Sequence, residues 1–269
     1  MMSARINVVG LVTACLFFHL MAFPQYADAK RPVVVKIGSG QARVTFLSGT
    51  ATVTSSEEAR VRILKVGNFL KEGDDVTTAA RSRLEIMLPD GSVLRFADMT
   101  NFKIHQIEVS KKTGKRNMHV RVAFGRTWAS IKKFFFGLKP RVEVSATNAV
   151  CGVRGTVFRM NVNEDQSMLV RTYEGEVNVS KGGEDIKPPT PVGPPHKISG
   201  PTPVPGPKTV TMEEWTYIIR SMQQIRISSD GIAEEPKAFT EQEDKNEWVD
   251  WNKSRDEAVR DIDVSLEDE

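Results

Sequence analysis

The sequence predicts an all-β body, then a proline-rich linker, then a two-helix appendage. Three observations carry this. Apolar and polar residues alternate with a period of two through most of residues 30–180, prolines crowd residues 187–207, and apolar residues recur at helical spacing beyond them. Of 269 residues, 40% are apolar and 26% charged, which supplies a real core and excludes a wholly disordered or collagen-like chain.

A leader comes first. Arg5 precedes the apolar run from Ile6 to Phe23, and Ala27-Asp28-Ala29 has the small-x-small pattern of a signal-peptidase site, so residues 1–29 read as a secretory signal cut after Ala29. Two alternatives use the same residues: the run kept as a membrane anchor, and acylation of Cys15 in Val12-Thr13-Ala14-Cys15. Under all three readings the body is exported, and membrane contact comes only through an uncleaved or lipidated leader. With Cys15 in the leader, Cys151 is the one cysteine of the body, so neither an intrachain disulfide nor a cysteine-based zinc cluster is available. Its apolar setting, Val150-Cys-Gly-Val153, suits a buried structural thiol.

Within residues 30–180, Arg83 to Leu88 alternates, Pro89-Asp90-Gly91-Ser92 turns, and Val93 to Phe96 resumes the strand. The signature recurs around Lys111–Lys115 and around Asn163–Gln166. Short strands at this spacing predict an antiparallel β-sandwich, a jelly-roll-like arrangement or a short coil of sheets, with no helix of three turns before residue 180. A loose echo of Val76…Asp90-Gly-Ser92…Leu94 in Val144…Asp165-Gln-Ser167…Leu169 suggests an internal duplication.

Charge divides the chain. Residues 30–180 hold 25 Lys+Arg against 14 Asp+Glu, whereas residues 181–269 hold 11 against 19. Between the two pieces, residues 181–208 carry the prolines and read as a semi-rigid polyproline linker. In the acidic region, residues 209–269, Thr211 and Glu214 form a capping box ahead of a stripe of Trp215, Ile218, Ile219, Met222 and Ile225, and a second helix is expected over Glu241 to Asp261, with Trp248, Val249, Trp251 and Ala258 on one side. Two such helices bury too little to stand alone. Trp215, Trp248 and Trp251 are therefore expected to dock the tail on the basic body, with tryptophan burial outweighing exposed ion pairs.

The basic surplus concentrates at Lys111, Lys112, Lys115 and Arg116 on a hairpin tip and at Lys132, Lys133, Lys139 and Arg141 around Phe134–Phe136, a candidate patch for an anionic partner. Charged tips also protect sheet edges from aggregation. His105 and His119 lie on neighbouring strands without an evident third ligand, which favours paired surface histidines over a metal site. The chain has no phosphate loop, no Gly-x-Ser-x-Gly and no His-Glu-x-x-His, so no catalytic residue, metal or cofactor is expected. Export disfavours nucleic acid as a partner.

An ordered series of short motifs completes the reading. Leu64-Lys-Val-Gly67-Asn68, Glu72-Gly73-Asp74, Thr77-Thr78, Ser82, Leu88-Pro-Asp90-Gly91-Ser92, Val153-Arg154-Gly155-Thr156 with Phe158, and Tyr173-Glu174-Gly175-Glu-Val177 resemble the FecR domain over about residues 45–180. The resemblance implies an exported all-β domain that binds and signals without catalysis. The family's best-known regulator has a cytoplasmic sigma-factor-controlling domain ahead of its membrane span; here Met1 to Arg5 precede the apolar run, so direct sigma-factor control is not expected. Taken by themselves, Gly67, Gly73, Gly91, Gly155 and Gly175 read as turn and bulge glycines, and Arg154 as an internal strut able to hold Asp74, Asp75 or Glu174. The expectation is a binding, scaffold or sensing module of the bacterial cell envelope with a protein or envelope-polymer partner. A membrane-anchored regulator and an envelope-polymer hydrolase are the alternatives.

Overall fold

The computed structural model describes residues 34–56, 60–110, 112–133, 141–182, 215–260 and 262–266. The leader and the proline-rich linker lie outside the described residues, as does the Thr211–Glu214 capping box. In chain order the strands begin with β1 (Val34–Ile37), β2 (Gln41–Ser48), β3 (Ala51–Thr54), β4 (Val61–Ile63), β5 (Phe69–Lys71) and β6 (Asp75–Thr78). They continue with β7 (Arg83–Met87), β8 (Val93–Phe96), β9 (Asn101–Ser110), β10 (Lys115–Ser130), β11 (Arg141–Ser145), β12 (Ala149–Val153) and β13 (Val157–Val162). Last come β14 (Met168–Glu174), β15 (Glu176–Lys181), β16 (Thr216–Arg220), β17 (Gln223–Ile227), β18 (Lys237–Ala238), one helix, α1 (Glu247–Val259), and β19 (Asp263–Leu266).

β1 and β19 pair in parallel as a separate two-stranded sheet, and β2 to β18 pair into two open sheets. Sheet I runs β5-β2-β7-β8-β10-β13-β14-β17-β18. Sheet II runs β4-β3-β6-β9-β10-β11-β12-β15-β16, antiparallel except for β10–β11. Only β10 belongs to both: Lys115 to Phe124 pairs in sheet II, and Gly125 to Ser130 in sheet I. The register closes neither sheet into a barrel.

The sheets face each other across one core, because alternate residues of each strand turn inward. Val44, Leu84, Phe96, Phe158 and Val170 of sheet I meet Val53, Phe102, Val120, Cys151 and Val179 of sheet II. The rings of Phe96 and Phe102 stack across the gap with centroids 3.6 Å apart. Cys151 is wholly buried there, and burial pushes its thiol up to about 12.

Crossing between the sheets requires a sharp bend, and glycine makes it. At Gly125, in the middle of β10, φ is +113° and a Cβ would overlap Thr100. Thr100 Oγ1 accepts the N–H of Arg126 at 3.2 Å and so fills the space the missing side chain leaves. Gly49 repeats this between β2 and β3, with Ser82 Oγ accepting the Thr50 N–H at 2.9 Å.

The echo noted in the sequence has a structural counterpart. In one turn the Leu88 N–H donates to Ser92 O and the Gly91 N–H to Leu88 O; in another the Asn163 N–H donates to Ser167 O and the Gln166 N–H to Asn163 O. Both turns accept the serine N–H on an aspartate, Asp90 or Asp165, at 2.9 Å. Ser228–Ile232 forms a third such turn, on the strand next to β14.

The C-terminal region departs from expectation. Trp215 to Ile225 is not a helix: β16 adds to β15 at the edge of sheet II and β17 to β14 in sheet I, with Met222, at φ +60°, at the bend between them. Apolar residues at 218, 219, 222 and 225 satisfy a helical stripe, but Thr216, Ile218, Ile219, Ile225 and Ile227 are β-branched and two unpaired sheet edges are waiting for them. From Trp215 on the described residues are therefore not an appendage; their strands complete both sheets. The second expected helix exists but starts later, at Glu247, capped by Asn246 Oδ1 accepting the Val249 N–H at 3.1 Å. Trp248 and Val249 of this helix are buried, whereas Ala258 is exposed.

Replacing Gly125 with alanine is expected to cost about 1–3 kcal/mol in backbone strain, with the Thr100 overlap added to it. The thermal midpoint should fall by several degrees, while Gly67→Ala, at a positive φ with open space around it, should cost only the strain.

Candidate functional site

The outer face of sheet II alternates in burial as a solvated sheet should, but β7, β8, β13 and β14 of sheet I are buried on both faces. Residues 239–259 are the reason: they form a strap across the outer face of sheet I. Phe239, Trp248 and Val249 pack there with Ala97, Trp128 and Tyr173. Trp248 stacks on Trp251, which meets Phe46, each pair with centroids 5.4 Å apart.

Two buried charge clusters bind the strap. In the first, Glu85 on β7 and Arg95 on β8 stand opposite one another in the hairpin, both with fully buried side chains. Arg95 Nε donates to Glu85 at 2.7 Å and Nη1 to Asp256 of α1 at 2.6 Å. Arg255 grips the other side of Glu85 with two hydrogen bonds, at 3.0 and 2.9 Å, and Trp128 Nε1 donates to Asp256 at 2.9 Å. Burial by itself would raise the Glu85 carboxyl, but the hydrogen bonds and charges of Arg255 and Arg95 hold it below its ordinary value.

In the second cluster Asp244 of the strap is the hub. Arg159 Nε donates to it at 2.8 Å, and Arg171 and the Tyr173 hydroxyl converge on the same carboxylate. Burial opposes ionisation of Asp244, and Arg159 and Tyr173 more than offset it, so its pKa also lies below the ordinary value. Tyr173 moves up, through burial and the adjacent carboxylate.

The residues singled out in the sequence fall in several places. Lys112, Lys115, Lys132 and Lys133 are exposed, Lys115 paired with Glu108 at 3.0 Å. Arg116 does not belong to that patch. Strand alternation turns it inward with Met118 and Val120, and its buried guanidinium donates to Asp90 at 2.8 Å and to the Lys132 carbonyl at 3.0 Å. Lys111 and Lys139 lie outside the described residues, and Arg141 contributes its backbone to β11.

Gly67, Gly73, Gly91, Gly155 and Gly175 all have positive φ, between 61° and 90°. Asp74 accepts the Lys71 N–H at 2.9 Å and Asp75 accepts from Asn101 at 2.7 Å. Arg154 is exposed and lines a cleft of about 510 Å³ on sheet II with Lys133, Glu143 and Gly155. Thr156 donates to the Glu176 carbonyl at 2.9 Å, and the exposed Glu174 lines a cleft of about 420 Å³ beside α1.

Of the tail tryptophans, Trp248 and Trp251 are on the strap; Trp215 lies elsewhere, half-buried beside Tyr217, with Nε1 donating to Gly231 O at 3.1 Å. His105 and His119 stack with centroids 4.9 Å apart, and His119 Nε2 meets Ser145 Oγ at 2.7 Å. Among the described residues no group of three His, Cys, Asp or Glu is placed to hold a metal ion.

Residues 74–178 match the family described as FecR protein. The chain therefore carries a FecR segment, running from β6 into the first half of β15 and holding Glu85, Arg95, Arg159 and Arg171. The strap lies outside that segment. No curated protein matches the chain. Two crystal structures of a candidate anti-sigma factor from Parabacteroides distasonis ATCC 8503 are similar, both at 15% identity and a TM-score of 0.42. One alignment covers 62% of this chain and 61% of that one, the other 66% and 64%, so the chain spans under two thirds of those proteins.

The charge clusters were missed in the sequence because their residues sit on the outward parity of their strands. The signal was the hairpin itself: the turn at Asp90-Gly91 sets Glu85 against Arg95. The sequence also led to exposed ion pairs, whereas Asp244, Glu85 and Arg95 are buried.

Asp244→Ala leaves Arg159 and Arg171 buried without a counter-charge and should cost about 3–5 kcal/mol of stability by chemical denaturation. The two carboxylates have depressed folded pKa values, so the stability they add is present above their ordinary values of 4.5 for Glu85 and 3.8 for Asp244, and is lost as pH falls through the lower folded values. The thermal midpoint should accordingly drop below about pH 4.5, and less steeply in Glu85→Gln and Asp244→Asn.

Proposed function

We propose that this chain is an exported, non-catalytic binding or sensing module of the bacterial cell envelope that works through contact with a protein or envelope polymer. The observation that carries the reading is the FecR match over residues 74–178, the segment that forms most of both sheets. The fate of the charged residues supports it. The acids and bases that a hydrolase would bring together in a cleft are here joined to one another under the strap, where Glu85 and Asp244 each serve two arginines. Export rests on Arg5, the apolar run Ile6 to Phe23 and Ala27-Asp28-Ala29. The exposed Lys112, Lys115, Lys132 and Lys133 suit an anionic partner.

The length of the apolar run favours one second reading, a regulator held in the membrane by an uncleaved leader. Among the described residues no helix is long and apolar enough to cross a membrane, so that span would have to come from the leader. Sequencing the N-terminus of the native protein after cell fractionation separates the two. Export with cleavage is expected to give a soluble envelope protein beginning near Lys30. A membrane protein beginning at Met1 would establish the anchored regulator, and a cytosolic protein beginning at Met1 would remove the envelope from the reading altogether.

A further inference from the structure

We propose that the cleft between the first turn of α1 and the ends of β2, β7 and β8 in sheet I binds a small organic carboxylate. This deepens the binding reading above and rests on it. The cleft has a volume of about 600 Å³, within the range of roughly 300–1,000 Å³ typical of small-molecule sites. Arg81, Arg83 and Arg126 line it together with Phe46, Ser48 and Trp248. Three guanidinium groups and an aromatic wall present donors and apolar surface. The acids of the lining, Asp98 and Glu247, are each already paired, with Arg126 and Arg83 respectively.

Two donors are left without acceptors. Arg81 is exposed, is held at a positive φ of 54°, and has no acidic partner among the described residues. Trp248 is 95% buried, and its indole Nε1–H, itself out of contact with water, finds no acceptor. The indole ring forms part of the cleft wall against which a ligand can pack, while its N–H has no accessible surface and lies behind that wall. The two features are independent, one on the loop before β7 and the other on the strap, and the cleft brings them together.

The paired arginines are available as well. Glu247 is 87% exposed, and an ion pair with so exposed a partner is worth about 0–1 kcal/mol, so an incoming carboxylate exchanges for it at little cost. Arg126 lies over the Trp248 ring, 5.7 Å from its centroid, and its pair with the half-exposed Asp98 is equally open to exchange. A planar carboxylate matches the guanidinium fork, and an attached carbon skeleton matches Phe46 and Trp248. Because Trp248 belongs to the strap and the arginines to sheet I and its loops, the bound ligand joins the two.

The test uses the full chain without its leader, labelled with ¹⁵N so that its four tryptophans give four indole N–H signals. Titration with N-acetylglutamate is expected to move the Trp248 signal saturably and to leave that of Trp215 in place. Arg81→Gln, at an exposed position that should not affect folding, is expected to weaken the apparent affinity at least tenfold at an unchanged thermal midpoint. A Trp248 signal that stays still with N-acetylglutamate, or that shifts equally in Arg81→Gln, would overturn the proposal. Inorganic phosphate producing the same saturable shift at lower concentration would overturn the carboxylate assignment. The location of the native protein is measured separately, so the envelope reading and this site can fail independently.

Discussion

Burying Glu85 and Arg95 side by side on the outward face of a β-hairpin commits the rest of the molecule. An ion pair removed from water is stable only when its remaining hydrogen-bonding capacity is met. Arg95 has donors beyond Glu85, and Glu85 has acceptor capacity beyond Arg95; Asp256 and Arg255 of α1 take up most of the difference, leaving Arg95 Nη2 a buried donor without a partner. Asp244 does the same one strand pair further on, between Arg159 and Arg171. A strap held by apolar contact alone could slide. One whose charges must meet particular partners has a single register, and Trp248 and Val249 then contribute their burial in that register.

The strap's dependence on the sheet follows from its own sequence. A 13-residue helix is marginal in water, and α1 has two acids in its first turn but no base in its last. Its helical state is therefore conditional on docking. Beyond α1 the chain makes one more attachment: β19 pairs in parallel with β1, and Val259, Ile262 and Val264 pack with Ile37, Met87 and Val93. The last strand of the fold thus closes onto its first, and a strap fastened at Asp244, at Asp256 and through β19 encloses sheet I along its length.

Much of this architecture was legible, and the parts that were not share a cause. Period-two alternation, helical spacing and turn chemistry are local, so the strands around Asp90-Gly91 and Asp165-Gln166, the positive-φ glycines and the helix bearing Trp248 could be read from residues a few positions apart. The helix expected over Trp215 to Ile225 failed because its apolar spacing fits two geometries, and the choice was made by unpaired edges contributed by β14 and β15. Arg116 was placed on the surface by its charge, but its parity on β10 points it into the core, and Asp90, 26 residues away, makes that tolerable. The cleft at Arg81 and Trp248 joins residues from opposite ends of the described chain, and composition carries no trace of such a meeting.

The boundaries of the FecR segment take on a physical meaning in this light. Residues 74–178 contain β6 to β14 and the start of β15, and hence the whole hairpin bearing Glu85 and Arg95, together with Arg159 and Arg171. They contain neither of the carboxylates that neutralise the surplus: Asp244 and Asp256 both come later. A chain confined to residues 74–178 would present Trp128, Tyr173 and three arginines to water on one face of sheet I, beside a carboxylate that serves only one of them. It would also lack β2 and β17, leaving β7 and β14 as bare edges open to pairing with other chains. The matched segment is therefore the shared part of the fold but not its stable unit; that unit extends from β1 to β19, and what makes it one body is the acidic strap returning to the charged face that the segment itself leaves uncompensated.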